Sequence, residues 1–337
     1  MMVLATPRGV AGVLPLLWLL TSMAAANAAD VQLIRQAVDR AYETVNDVQD
    51  GETAQYIPAL AQANPDAFGI AVVTASGEVV VRGDTDKVFA IMSAAKPFTL
   101  ALLLQQRGRD IAVERIGVEP TGLPFNSLAG VERAKNQPLN PMVNAGAITA
   151  VSLLQPEKPE QRWPQLLNYY SKFAGQTLEM MTDVYDSVST SNFRNRGLIN
   201  LLQSENWLEA SPVQTLDVYN RQSCVGVTAR QLAVMGATLA NGGVNPISGE
   251  RLLEEDLVDE VLSVMLLSGF YDESGRWAYN AGLPAKSGVG GGIVAVAPGE
   301  MALVGYSPRL SPAGNSVRGM LAIEMIAAEL GLSIFKP

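Results

Sequence analysis

The sequence contains no histidine. Catalysis by a Ser-His-Asp or Cys-His set is therefore excluded, and no imidazole can ligate a metal. Cys224 is the only cysteine, so no disulfide can form within the chain and a thiolate zinc site is ruled out. Cys224 is read as a small buried residue, not a catalytic thiol. Positive charge is in deficit, with 24 Lys and Arg against 33 Asp and Glu and a formal net charge of −9. A chain without a basic face cannot neutralise phosphates, which argues against nucleic acid as a partner. No basic tract offers a polybasic membrane surface.

What is present describes a folded chain. Of 337 residues, 48% are hydrophobic and 17% charged, with 30 glycines, enough to bury one large core or two modest ones. The first residues, "MMVLATPRGVAGVLPLLWLLTSMAAANAAD", carry one early positive charge at Arg8 and an apolar run from Val10 to Leu20. They close on Ala26-Asn27-Ala28, a small-residue cleavage pattern. The run is short for a membrane span and Pro15 interrupts it. Residues 1–28 are therefore read as a signal peptide, cleaved after Ala28 on export to the periplasm or beyond. Later segments lack eighteen continuous apolar residues, so no stable membrane span is expected in the mature chain.

From Val31 onward, Ile34, Val38, Tyr42 and Val45 recur at helical spacing. "FGIAVVTASGEVVVRGD" (68–84) reads as two strands around an Ala75-Ser76-Gly77 turn, and "GGGIVAVAPGEMALVGYSP" (290–308) repeats that design around Pro298-Gly299. A helix follows over 314–331, with Asn315 or Ser316 as cap and Gly331 as stop. Residues 228–243 read as a helix starting at Thr228 and stopped by two glycines, while 156–164 read as a polar, proline-rich connection. The class is α/β (α+β): one antiparallel sheet built from both chain ends and flanked by helices. Residues 29–337 are read as one domain, with 29–90 and 271–337 forming its α/β part and 91–270 a mostly helical inserted part.

Two motifs carry chemistry. "FAIMSAAKPFTLALLL" (89–104) sets Ser93 and Lys96 three apart at the start of an apolar helix, a spacing that brings both side chains to one face. A serine hydroxyl needs a base, and a lysine serves once burial lowers its pKa. A helix start adds free N–H groups and the positive end of the dipole. "LPAKSGVGGG" (283–292) then offers Lys286-Ser287-Gly288 just before the second hairpin. Ser-x-x-Lys early and Lys-Ser-Gly late is the order used by serine β-lactamases and penicillin-binding proteins.

Longer segments narrow the reading. "EPTGLPFNSLAGVERAKNQPLNPMVNAGAI" (119–148), "RQLAVMGATLANGGVNPISGERLL" (230–253) and "GLPAKSGVGGGIVAV" (282–296) resemble the serine-dependent glutaminases, and the resemblance runs from about Tyr56 to Phe335. It implies a β-lactamase/transpeptidase-like fold, hydrolysis of L-glutamine through a Ser93 acyl-enzyme, no metal or organic cofactor, and a homodimer or homotetramer. By the same resemblance Ser93 is the nucleophile, Lys96 its base, and Tyr271 a proton relay. Lys286 joins them in the catalytic set. Tyr219 and Tyr56 are further active-site tyrosines, Asn144 and Asn195 hold the substrate's polar ends, and the amides of Ser93 and Val289 form the oxyanion hole.

This chain departs from the family pattern at three places, one of them Gln222-Ser223-Cys224, where the family has the order Gln-Cys-Ser and the cysteine is displaced by one position. Ser187-Val188-Ser189-Thr190 stands where the family runs Ser-Glu-x-Thr, and that glutamate is expected to meet the substrate's α-ammonium group. Near the nucleophile, Met92 and Ala95 replace a glutamine and a serine. Three readings follow: a glutaminase; an amidohydrolase of the same mechanism with another primary-amide substrate; and an inactive binding protein on the same scaffold.

Overall fold

The computed structural model describes residues 14–134, 137–156 and 158–336, with side chains from Asp30 onward except Pro159. Residues 1–13 of the expected signal peptide lie outside the described residues. A helix spans Leu14–Val45, longer than the segment expected from Val31, because the Leu- and Ala-rich residues before it have high helix propensity. It runs through Ala26-Asn27-Ala28 without a break. Among the described residues, no helix is long and apolar enough to cross a membrane.

Strands β1 (Gly69–Thr74), β2 (Val79–Gly83), β3 (Phe89–Ala90), β4 (Glu179–Met180), β5 (Val225–Val227), β6 (Ala285–Ser287), β7 (Gly292–Ala297) and β8 (Met301–Tyr306) form two sheets. The larger has the order β2-β1-β8-β7-β6 and is antiparallel throughout. The two expected hairpins are thus joined through β1 and β8, where Gly69 pairs with Tyr306 and Thr74 with Met301. The smaller sheet, β3-β5-β4, was not anticipated. Its strands are two or three residues long, too short to show an alternation.

Alternation in the larger sheet assigns each face to one core. Ile70, Val72, Ile293, Ala295 and Leu303 join the Leu14–Val45 helix and the Val317–Leu330 helix through Ile34, Val38, Ile323 and Ile326. Ala71, Val73, Val294, Val296, Ala302 and Val304 join the opposite core, with Leu232, Ala233 and Met235 of the Ala229–Ala240 helix. That helix opens with a capping box in which Thr228 and Gln231 satisfy each other's backbone. Ser316 caps the Val317–Leu330 helix, and Gly331 ends it in the left-handed conformation.

The expected connection at 156–164 is corrected. A helix runs from Pro159 to Ala174; Pro159 fits its first position, where the missing N–H costs nothing. On the far side of the second core lies the Lys96–Arg107 helix, with every residue from Lys96 to Leu104 buried. Any lysine at its start is carried into a dry interior.

Candidate active site

Ser93 sits in a one-turn 3-10 helix, Met92–Ala95, that runs directly into the Lys96–Arg107 helix. Lys96 is therefore the first α-helical residue and is 2% exposed. Its amine donates to Met142 O at 3.2 Å and to Asn144 Oδ1 at 2.8 Å. Burial without a carboxylate partner pulls its pKa down to about 7. A neutral amine has two N–H bonds and one lone pair. Two carbonyl acceptors use the two hydrogens, so the lone pair is left over. No hydrogen bond joins Lys96 to Ser93 among the described residues.

Lys286 repeats this arrangement from β6. It is wholly buried and donates to Gly269 O and Ser287 O, each at 2.7 Å. Burial, then repulsion from Lys96, hold its pKa well below the ordinary lysine value. The Tyr271 ring faces both amines, 3.9 Å from Lys286 Nζ and 5.7 Å from Lys96 Nζ measured to its centroid. Burial pushes the Tyr271 hydroxyl up to about 12, partly offset by the hydroxyls of Ser93 and Ser287. Those neighbours are close enough to act electrostatically, yet the hydroxyl closes no hydrogen bond of ordinary geometry.

Backbone strain gathers at the same place. Met92 and Tyr271 hold φ of 48° and 59°, the left-handed region that bulky residues rarely enter. The turn Gly288–Gly291, closed by Gly291 N donating to Gly288 O at 2.9 Å, lies against the segment that carries Ser93. A Cβ on Gly290 would stand 2.0 Å from Ala90 O, and one on Gly288 2.6 Å from Ile91 O and 3.3 Å from Ser93 N. Only glycine permits this approach. It brings the turn that carries Val289 against the backbone around Ser93, and the Val289 amide donates to no carbonyl in the surrounding turns.

In front of these groups opens a concave pocket of about 680 Å³, a volume that includes the open space at its mouth. Ser93, Tyr56, Asn144, Val188, Asn195, Tyr219 and Val289 all line it. Tyr56 is at the mouth and 56% exposed, whereas Tyr219 is buried. Burial raises the Tyr219 pKa above the ordinary tyrosine value. Lys96, Tyr271 and Lys286 stand behind the wall. Asn144 links the two layers, since its Nδ2 donates to Asn195 Oδ1 at 2.9 Å.

Sequence reasoning did not single out Phe125, Arg194 or Asn220, which also line the pocket. Asn220 adjoins Tyr219, and Arg194 adjoins Asn195, so proximity to a quoted residue was the available signal. Cys224 is wholly buried, with its thiol pushed up to about 12 by burial and by Asp183.

The family model for Glutaminase matches residues 51–335. The chain belongs to the glutaminase family. It is 46% identical over 303 residues to a glutaminase of Colwellia psychrerythraea, covering 90% of this chain and 97% of that one. It is 43% identical over 307 residues to Glutaminase 1 of Escherichia coli O157:H7, covering 91% and 99%. Among solved structures, the probable glutaminase ybaS superposes with a TM-score of 0.89 at 43% identity, covering 91% of this chain and 99% of that one. A probable glutaminase from Bacillus subtilis complexed with 6-diazo-5-oxo-L-norleucine gives 0.79 at 31% identity, covering 90% and 96%. The fold is the β-lactamase-like one that the resemblance implied.

Proposed function

We propose that this glutaminase hydrolyses the side-chain amide of L-glutamine to L-glutamate and ammonia through an ester on Ser93. Ser93 Oγ forms a bond to the amide carbon as Lys96 takes the hydroxyl proton. The amides of Ser93 and Val289 hold the developing oxyanion. The C–N bond then breaks, and ammonia leaves with a proton delivered through Tyr271. Water attacks the ester and restores the Ser93 hydroxyl. Lys286 holds the Tyr271 ring in place from behind. Tyr56, Asn144, Asn195, Tyr219 and Val188 bound the substrate.

The observation that carries this reading is the environment of Lys96: buried, without a carboxylate, and supplied with two acceptors for its two N–H bonds. A charged lysine there would be poorly solvated, whereas a neutral one is a ready base. Ammonia release from L-glutamine by the purified protein, abolished in Ser93→Ala, is the expected result. Release that survives in Ser93→Ala would overturn the acyl-enzyme. An inactive wild type would return the chain to a binding role.

The reading includes export. Cleavage after Ala28 would leave Ile34, Ala37, Val38, Ala41 and Val45 of the first helix on the retained chain, where they pack on the sheet. Amino-terminal sequencing of the protein from the periplasmic fraction should begin at Ala29. Assembly into a homodimer or homotetramer completes the proposal, and the mass in solution tests it.

A further inference from the structure

We infer that the pocket gives L-glutamine no advantage over a primary amide that carries a carboxylate but no charged amine. This rests on the amidohydrolase reading of the same site. L-Glutamine brings both charges, and an ammonium withdrawn from water needs an anion or several free acceptors in return. Among the described residues lining the pocket there is no Asp or Glu, and the one charged side chain is Arg194. Its Nε donates to Asn126 O at 3.0 Å, and its Nη groups have no partner among the described residues. A guanidinium at the rim attracts a carboxylate and repels an ammonium.

The polar wall has the same polarity for a traceable reason. Lys96 donates to Asn144 Oδ1, so Asn144 turns its Nδ2 to Asn195 Oδ1. With its oxygen engaged, Asn195 has its NH2 group to offer at the pocket wall. The buried lysine thus sets the second asparagine as a donor, suited to a carboxylate or a carbonyl. Opposite stands an apolar wall. Val188, 7% exposed, clusters with Ile57, Met92 and Val289, backed by Cys224 and Leu310. A methylene chain gains contact there; an ammonium gains nothing.

The test compares ammonia release from L-glutamine and from glutaramate, the monoamide of the five-carbon dicarboxylic acid, which lacks the amine. The wild-type protein should show a kcat/KM for glutaramate at least equal to that for L-glutamine. Val188→Glu should raise kcat/KM for L-glutamine about tenfold or more, the worth of a charge-assisted hydrogen bond, and lower it for glutaramate. Preference of the wild type for L-glutamine would overturn the inference while leaving the amidohydrolase reading intact, and needs no variant to fold. Ammonia from neither amide would remove the reading itself. A folded Val188→Glu protein with no gain on L-glutamine would also overturn the inference.

Discussion

Asn144 Oδ1 accepts a 2.8 Å hydrogen bond from Lys96 Nζ. A neutral acceptor at that distance leaves the amine free to lose its proton, while a carboxylate there would keep it. The rise of kcat/KM with pH should therefore centre near 7, where burial places Lys96. In Asn144→Asp the new anion stabilises the ammonium and raises that pKa. The rise should move to higher pH by about one unit or more, read from the full pH profile whatever the loss in rate.

Lys96→Met should abolish ammonia release yet raise thermal stability. The folded pKa of about 7 lies below the ordinary lysine value of 10.5. Between those values the unfolded chain holds a proton that the folded one lacks, so wild-type stability rises with pH across that window. Below about 7 both states are protonated and the cost of burying the charge is fully present. Calorimetry at pH 7 should show the variant melting higher by a few degrees. Its advantage should shrink as pH approaches 10.

Tyr271→Phe separates the ring from the hydroxyl. The ring that faces Lys286 and Lys96 is retained, and a buried hydroxyl without an ordinary hydrogen bond is lost. Stability should be unchanged or higher by about 1 kcal/mol in urea titration. If that hydroxyl delivers the proton to ammonia, kcat should fall by about 10²–10⁴.

Gly290→Ala places a methyl carbon 2.0 Å from the carbonyl oxygen of Ala90, so the turn must retreat from the nucleophile segment. We expect a loss of about 1–3 kcal/mol from overpacking and of about 10²–10³ in kcat from a displaced oxyanion site. Ala substitution at Gly275, whose Cβ would meet no atom within 4 Å and whose backbone is helical, should leave kcat and stability unchanged and is the control.

Both hairpins of the larger sheet were legible because their residues alternate between two cores, as Ile70 against Ala71 and Ile293 against Val294 show. The motif Ser93-x-x-Lys96 was legible as a spacing, and the burial of Lys96 followed from the apolar run behind it. Three features were not. The short strands β3, β4 and β5 are joined by only two residue pairs at each junction, below any periodic signal. The hydrogen-bonded line from Lys96 through Asn144 to Asn195 joins residues about fifty and one hundred positions apart. The strain at Met92 and Tyr271 is imposed by the surroundings, since neither residue prefers a positive φ.

Because β1 is flanked by β2 and β8, the strand nearest the start of the sheet is completed by one translated more than two hundred residues later. The turn that carries Val289, between β6 and β7, belongs to the same late segment. A chain that carries Ser93 and Lys96 but stops short of β8 leaves one edge of β1 without its partner.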